Sequence, residues 1–284
     1  MGIKKKLTTD SEKLSDSSGN SQSEDSDNSP DSSLDKNPGE IKQRVVLLKV
    51  PIDIVAPEHL SSVIYDLLKE KKEHNIVLLS LWDLLRARRS GEYRSYVTRA
   101  SLVIPISKSL IGGIKFLTGK KAHRYMPFDF IVSLLTTLEN REFTCYILGA
   151  RRKVILKTEQ NIRQTFPKLR LVGRFPGYFK KHEEGTIIKA IKKASPSLLL
   201  AGKGVRGGEK WIARNNAALG EGLRLWCSDI FDVFAERKKH PSRTAFNSGL
   251  EWVGYCFHNP FKTFRIFPYI GYKFLLLFNK LFVK

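Results

Sequence analysis

Cysteine is scarce in this sequence, and its placement excludes several chemistries. Cys145, Cys227 and Cys256 stand far apart, with no C-x-x-C pair among them. An odd, dispersed set argues against a disulfide framework or a cysteine zinc site, and suits a reducing cytosol. The six histidines (His59, His74, His123, His182, His240 and His258) never show H-x-x-x-H spacing. No metal site and no cofactor are therefore expected. Long apolar runs are missing as well, since no segment has the ~20 consecutive apolar residues of a spanning helix. The N-terminus is polar where a secretory signal would be apolar, so none is expected.

The first forty residues contain no aromatic side chain and are mostly Ser, Asp, Asn, Lys and Gly. They have too little apolar surface to offset the entropy of ordering, so residues 1–42 are read as a disordered acidic tail. Asp25-Ser26-Asp27 imitates the metal-binding D-x-D of many sugar-nucleotide transferases. In such an acidic tail the match is expected by chance.

What is abundant is positive charge. The chain of 284 residues carries a formal +21. Residues 1–40 hold five lysines against nine acids, a net of −4, which leaves +25 for the remainder. Such a charge points to an anionic partner: a nucleic acid, an anionic membrane surface or a phosphate-bearing substrate. The basic residues are dispersed, and no nucleic-acid-binding signature appears, so nucleic acid is not expected as a partner.

From residue 45 the pattern becomes that of a folded domain, read as residues 43–248. Apolar runs at 45–50, 76–79, 102–106, 144–148, 169–172, 198–201 and 223–227 are predicted strands, the first ended by Pro51. Helical periodicity lies between them, from about residue 57 and over 82–88, 128–138, 158–166, 182–194 and 209–219. This alternation predicts a Rossmann-like α/β layered fold, with a mostly parallel sheet and flanking helices. A basic, aromatic helical appendage is expected after it, over residues 249–284. There Phe264, Phe267, Tyr272, Phe274, Phe278 and Phe282 alternate with Lys262, Arg265, Lys273 and Lys280. Rings beside cations are what an interfacial segment uses on an anionic bilayer. The alternative is a helix packed in the core or at an oligomer interface.

Gly202-Lys203-Gly204-Val205-Arg206-Gly207-Gly208 follows a predicted strand and precedes a predicted helix. Glycines there let backbone N–H groups approach a diphosphate, and Lys203 and Arg206 add charge. The loop comes late in the chain, without the acid of a dinucleotide fold, so a nucleotide diphosphate fits better than NAD. Its competitor is a plain flexible turn. Asp229 and Asp232 follow a strand end, where ligands gather in open α/β sheets, and read equally as helix cap or cleft.

Several segments, in order, resemble the WecG/TagA/CpsF glycosyltransferases over roughly residues 45–277. The strongest runs from Leu171 through Gly173 and Gly177-Tyr178-Phe179 to Glu183 or Glu184. Others are Ile147-Leu148-Gly149, Glu209-Lys210-Trp211-Ile212, Phe231-Asp232-Val233 and Gly249-Leu250-Glu251-Trp252 with Asn259-Pro260 and Arg265. The resemblance implies transfer of an N-acetylhexosamine from a UDP-sugar donor to a polyprenyl-diphosphate-linked saccharide, for cell-surface polysaccharide synthesis. It implies a cytoplasmic protein, peripheral on the inner face of the plasma membrane. Gly202, Gly204, Glu209 and Asp232 are then expected at the donor diphosphate, and Glu251, Trp252 and Arg265 at the acceptor and appendage.

The departures concern chemistry. The family places its proposed base, an Asp, where this chain has Ile106 in Ile104-Pro105-Ile106-Ser107. An alkyl group accepts no proton, and general base catalysis is worth roughly 10²–10⁴-fold. The family's T-x-N segment is Leu78-Leu79-Ser80 here. Asp129, matching the family's G-s-D, is the remaining candidate base, with a helix-dipole role as its alternative. Two functions follow: a transferase with a reassigned base, or an inactive homologue that binds sugar nucleotide or lipid-linked saccharide as a scaffold.

Overall fold

The computed structural model describes residues 41–89, 91–239, Phe246 and 266–282. Its centre is a six-stranded parallel sheet of β3 (Glu73–Leu79), β4 (Leu102–Pro105), β5 (Thr144–Leu148), β6 (Arg170–Phe175), β7 (Leu198–Ala201) and β8 (Gly222–Trp226), in the order β4-β3-β8-β7-β5-β6. All four residues of β4 and of β7 are buried. Strands covered on both faces need apolar side chains at every position, which is why these read as unbroken apolar runs.

Helices cover both faces, as the strand-helix alternation requires. One face packs α1 (Leu60–Lys69), α5 (Pro127–Asn140), α6 (Arg152–Thr165) and α9 (Ile230–Phe234) in a core around Ile64, Leu134, Ile147, Ile162 and Phe231. The other packs α2 (Leu81–Arg89), α3 (Gly91–Arg99), α4 (Lys108–Thr118), α7 (Glu184–Ala194) and α8 (Glu209–Leu219) around Leu84, Tyr93, Ile114, Ile191 and Ile212.

The first predicted strand needs correction. Residues 45–50 do not form one strand ended by Pro51. They span a hairpin of β1 (Lys42–Leu47) and β2 (Val50–Val55), with Pro51 opposite Val46 inside β2. Leu48 and Lys49 make a two-residue turn, both with positive φ. Burial of the Leu48 side chain accompanies this left-handed backbone. Leu47 and Val50 close the turn, so the next pair, Val46 and Pro51, is the kind that exchanges no ladder hydrogen bonds. The missing N–H of Pro51 therefore costs nothing there. Asp53 anchors the hairpin from a fully buried position. Its carboxylate takes Arg44 Nε and Nη2, each at 2.7 Å, and the Val103 amide of β4 at 2.7 Å.

Three helices, α3, α4 and α9, had no predicted counterpart, and α6 begins six residues before its predicted start. Gly112-Gly113 breaks the apolar pattern of α4, and packing explains Gly113. The C-terminal α10 (Ile266–Phe282) lies along α4, burying Tyr272 and Leu276. Tyr272 donates its hydroxyl to the Ser109 carbonyl at 3.0 Å. A Cβ on Gly113 would sit 2.0 Å from that hydroxyl oxygen. Tyr272, Leu276 and Lys280 recur one turn apart, with Lys280 Nζ 4.2 Å from the centre of the Phe116 ring. The outer side of α10 carries Phe274, Phe278, Leu281 and Phe282, all exposed. No helix among the described residues is long and apolar enough to cross a membrane.

Replacing Gly113 by leucine should displace Tyr272, overpacking typically costing about 1–3 kcal/mol. We expect residues 266–282 to lose amide-exchange protection while β3–β8 keep theirs. Unchanged protection of 266–282 would contradict this docking.

Candidate functional site

In open α/β sheets, ligands bind at the carboxyl ends of strands, where neighbouring strands connect in opposite directions. Here β5 leads through α6 to β6 on one side, and β7 leads through α8 to β8 on the other. The crevice between β5 and β7 is thus the expected site, and a cavity of about 260 Å3 opens there. Ala150, Arg151, Val154, Tyr178, Lys203, Asp232 and Arg237 line it.

Backbone hydrogen bonds fix its walls. Gly202 N–H donates to Leu148 O at 2.8 Å, Gly177 N–H to Ala150 O at 2.8 Å, Tyr178 N–H to Gly204 O at 2.7 Å and Lys203 N–H to Ser228 O at 2.7 Å. The loops after β5, β6, β7 and β8 are knitted into one cradle. Gly149, at φ 144°, lies against the next loop so closely that a Cβ would come within 3.0 Å of the Gly202 backbone. Tyr178 holds a left-handed backbone with its ring 56% exposed, a conformation uncommon outside glycine and informative at a site.

Electrostatics favour an anion. Arg151, Lys203 and Arg237 converge on the cavity with one acid, Asp232. The Arg151 guanidinium lies 5.9 Å from the centre of the Tyr178 ring. The first turn of α6 opens here with Arg151 at its N-cap, so unpaired backbone N–H groups and the helix dipole add to the positive field. A contiguous basic recess of about 600 Å3 adds Arg152, Lys153 and Lys157. A flat exposed ring beside convergent cations suits a stacked base and a diphosphate.

The residues singled out in the sequence separate into groups. Asp232 and Lys203 line the cavity, and Gly202 and Gly204 form the backbone behind it. Asp229 makes no side-chain cap bond to α9 and pairs instead with Lys238. Glu184 receives the Trp211 indole N–H at 2.6 Å, while Glu183 accepts the Lys180 N–H at 2.6 Å. Asp129 is half-buried in the first turn of α5 and does not line the cavity. Glu251, Trp252 and Arg265 lie outside the described residues.

Glu209 does not line the cavity either. It opens α8 beside α2 and α3, 3.4 Å from Arg86 Nη1 and close to Tyr93 and Asp83. Burial, followed by the charge of Asp83, pushes its carboxyl up to about 7. Arg151, Tyr178 and Arg237 were not foreseen as site residues. The G-Y-F segment was visible as a motif, but no local pattern flags Arg237.

Strand order and glycine-backed loops define a Rossmann-like α/β protein with a cationic crevice at its strand ends. The sequence matches the glycosyl transferase WecG/TagA/CpsF family over residues 45–283, and the chain belongs to that family. Among similar proteins is the N-acetylglucosaminyldiphosphoundecaprenol N-acetyl-beta-D-mannosaminyltransferase of Bacillus spizizenii, 21% identical over 174 residues, 61% of this chain and 67% of the relative. The Bacillus subtilis protein of the same name is 19% identical over 180 residues, 63% of this chain and 70% of its own length. That of Staphylococcus aureus is 21% identical over 161 residues, or 57% and 63%.

A carboxyl whose folded pKa is raised stabilises the fold while protonated. Glu209 therefore contributes stability below its unfolded value of 4.5, lost as pH rises through about 7. Relative to Glu209→Gln, the wild type should lose up to roughly 3 kcal/mol of unfolding free energy between pH 4.5 and 8. Parallel urea-denaturation curves for the two proteins across that range would refute the assignment.

Proposed function

We propose that this protein transfers an N-acetylhexosamine from a UDP-sugar to a polyprenyl-diphosphate-linked saccharide, in cell-surface polysaccharide synthesis. The observation that carries this reading is the β5/β7 crevice, with three cations and an exposed ring at one topological switch point. Tyr178 stacks on the base, and Arg151, Lys203 and Arg237 neutralise the diphosphate. Asp232, the one acid among the described residues that line the cavity, accepts hydrogen bonds from the nucleoside hydroxyls. Relatives named for transfer to an undecaprenyl-diphosphate-linked acceptor support the choice of acceptor.

The acceptor is a lipid, so the protein must work at a bilayer surface. We read α10 as the contact, on the inner face of the plasma membrane. Its exposed Phe274, Phe278 and Phe282 enter the headgroup region, and Lys273 and Lys280 meet anionic lipid. Residues 249–284 then form an appendage to the α/β domain, and the acidic stretch before β1 a separate tail.

The test is UDP release from UDP-N-acetylhexosamines in the presence of a polyprenyl-diphosphate acceptor. We expect acceptor-dependent release, and nucleotide binding without any release would overturn the transferase reading. Tyr178→Ala should weaken UDP binding about tenfold, base stacking being worth roughly 1–3 kcal/mol; unchanged affinity by calorimetry would remove the ring from the site. Placing glutamate at Phe274 and Phe278 should stop co-sedimentation with vesicles rich in phosphatidylglycerol. Undiminished pelleting would count against the membrane face.

A further inference from the structure

The recess beside the donor crevice is the larger of the two, about 600 Å3 against about 260 Å3. Arg151, Arg152, Lys153, Lys157 and Arg237 line it, all exposed, and no described acid lines it with them. The one acid of α6, Glu159, is taken by Arg163 at 3.0 Å and Arg174 at 2.5 Å. These cations also stand where a helix least favours them. Arg151 is the N-cap of α6, Arg152 and Lys153 open its first turn, and no acid there offsets them. Positive charge against the positive end of the helix dipole is destabilising. Local rules broken without compensation are expected at functional positions.

A bilayer is not the counter-charge. α10 packs on α4, on the opposite face of the sheet from α6 and α9, so a protein resting on α10 turns this recess toward water. The chain carries a complement of its own. Residues 14–35 hold six acids and no Lys or Arg, and Glu24, Asp25, Asp27 and Asp31 fall close together among them. Ile41, the first described residue, packs against the core beneath α6 and α9, on the recess side of the sheet. It stands near the amino end of β4, since Lys42 Nζ donates to Ser101 O at 3.1 Å. The recess lies at the carboxyl end of β5, four strand spacings across and one strand length along, about 25–30 Å away. Asp27 is fourteen residues before Ile41, and fourteen extended residues span up to about 45 Å.

We propose that residues 24–31 of this chain dock in the recess, with their carboxylates against Arg152, Lys153 and Lys157. The recess shares Arg151 and Arg237 with the donor crevice. A carboxylate on either shared cation competes with a nucleotide diphosphate, so the docked segment lowers nucleotide affinity. That consequence rests on the donor reading above, whereas the docking itself rests on the recess and the segment.

The test treats the full chain at low salt with a carbodiimide, which joins carboxylates directly to lysine amines, and maps the linked peptides. We expect links from residues 24–31 to Lys153 and Lys157 within one chain. They should disappear in about 1 M sodium chloride, where charges are screened beyond about 3 Å. A chain carrying Glu24→Gln, Asp25→Asn, Asp27→Asn and Asp31→Asn together should bind UDP about three- to tenfold more tightly by calorimetry, since apparent affinity follows the fraction of free sites. With Lys153→Gln and Lys157→Gln already in place, both outside the crevice, the same neutralisation should change UDP affinity by less than about twofold. Links that map elsewhere on the domain, links joining nitrogen-15-labelled to unlabelled chains, or no links at all overturn the proposal. Equal UDP affinity in the wild type and the neutralised chain overturns it too. Absence of any UDP binding defeats the donor reading instead, and the mapped links then decide the docking by themselves.

Discussion

The candidate site depends on the contact of two backbones. The turn after β5 and the loop after β7 meet at Gly149 and Gly202 with no space for a side chain between them. Because the loops touch there, Ala150 and Lys203 bond directly, and Gly177 and Tyr178 join the same network. The cavity walls are therefore backbone held by backbone, and the side chains that enter it start from fixed positions. A cradle organised in advance loses less entropy on binding than one that must assemble around its ligand.

Charge acts on a second scale. The acidic tail masks a remainder at +25, and part of that excess is focused. Arg151, Lys203 and Arg237 face the cavity, and Arg152, Lys153 and Lys157 extend the positive field beside it. Other cations are paired: Lys210 and Arg214 share Glu92, and Arg44 is held by Asp53.

The sheet was legible in the sequence because strands covered on both faces leave unbroken apolar runs, as in Leu198-Leu199-Leu200-Ala201. The hairpin was not, because Leu48 and Lys49 are no turn signal; tertiary burial of Leu48 accompanies a backbone usually left to glycine or asparagine. α4 was hidden by Gly112-Gly113, and the close packing that explains Gly113 comes from Tyr272, far along the chain. The glycine loop and Asp232 were readable from local motifs. The place of Arg237 depends on which strands become neighbours, and no window of sequence holds that information.

The central claim is that the β5/β7 crevice receives the nucleotide diphosphate of a sugar donor. The most direct measurement is a crystal structure of the protein with UDP. The account predicts the diphosphate between Arg151, Lys203 and Arg237 at the start of α6, with the uracil against the Tyr178 ring. Nucleotide bound elsewhere on the sheet, with these side chains untouched, would contradict it.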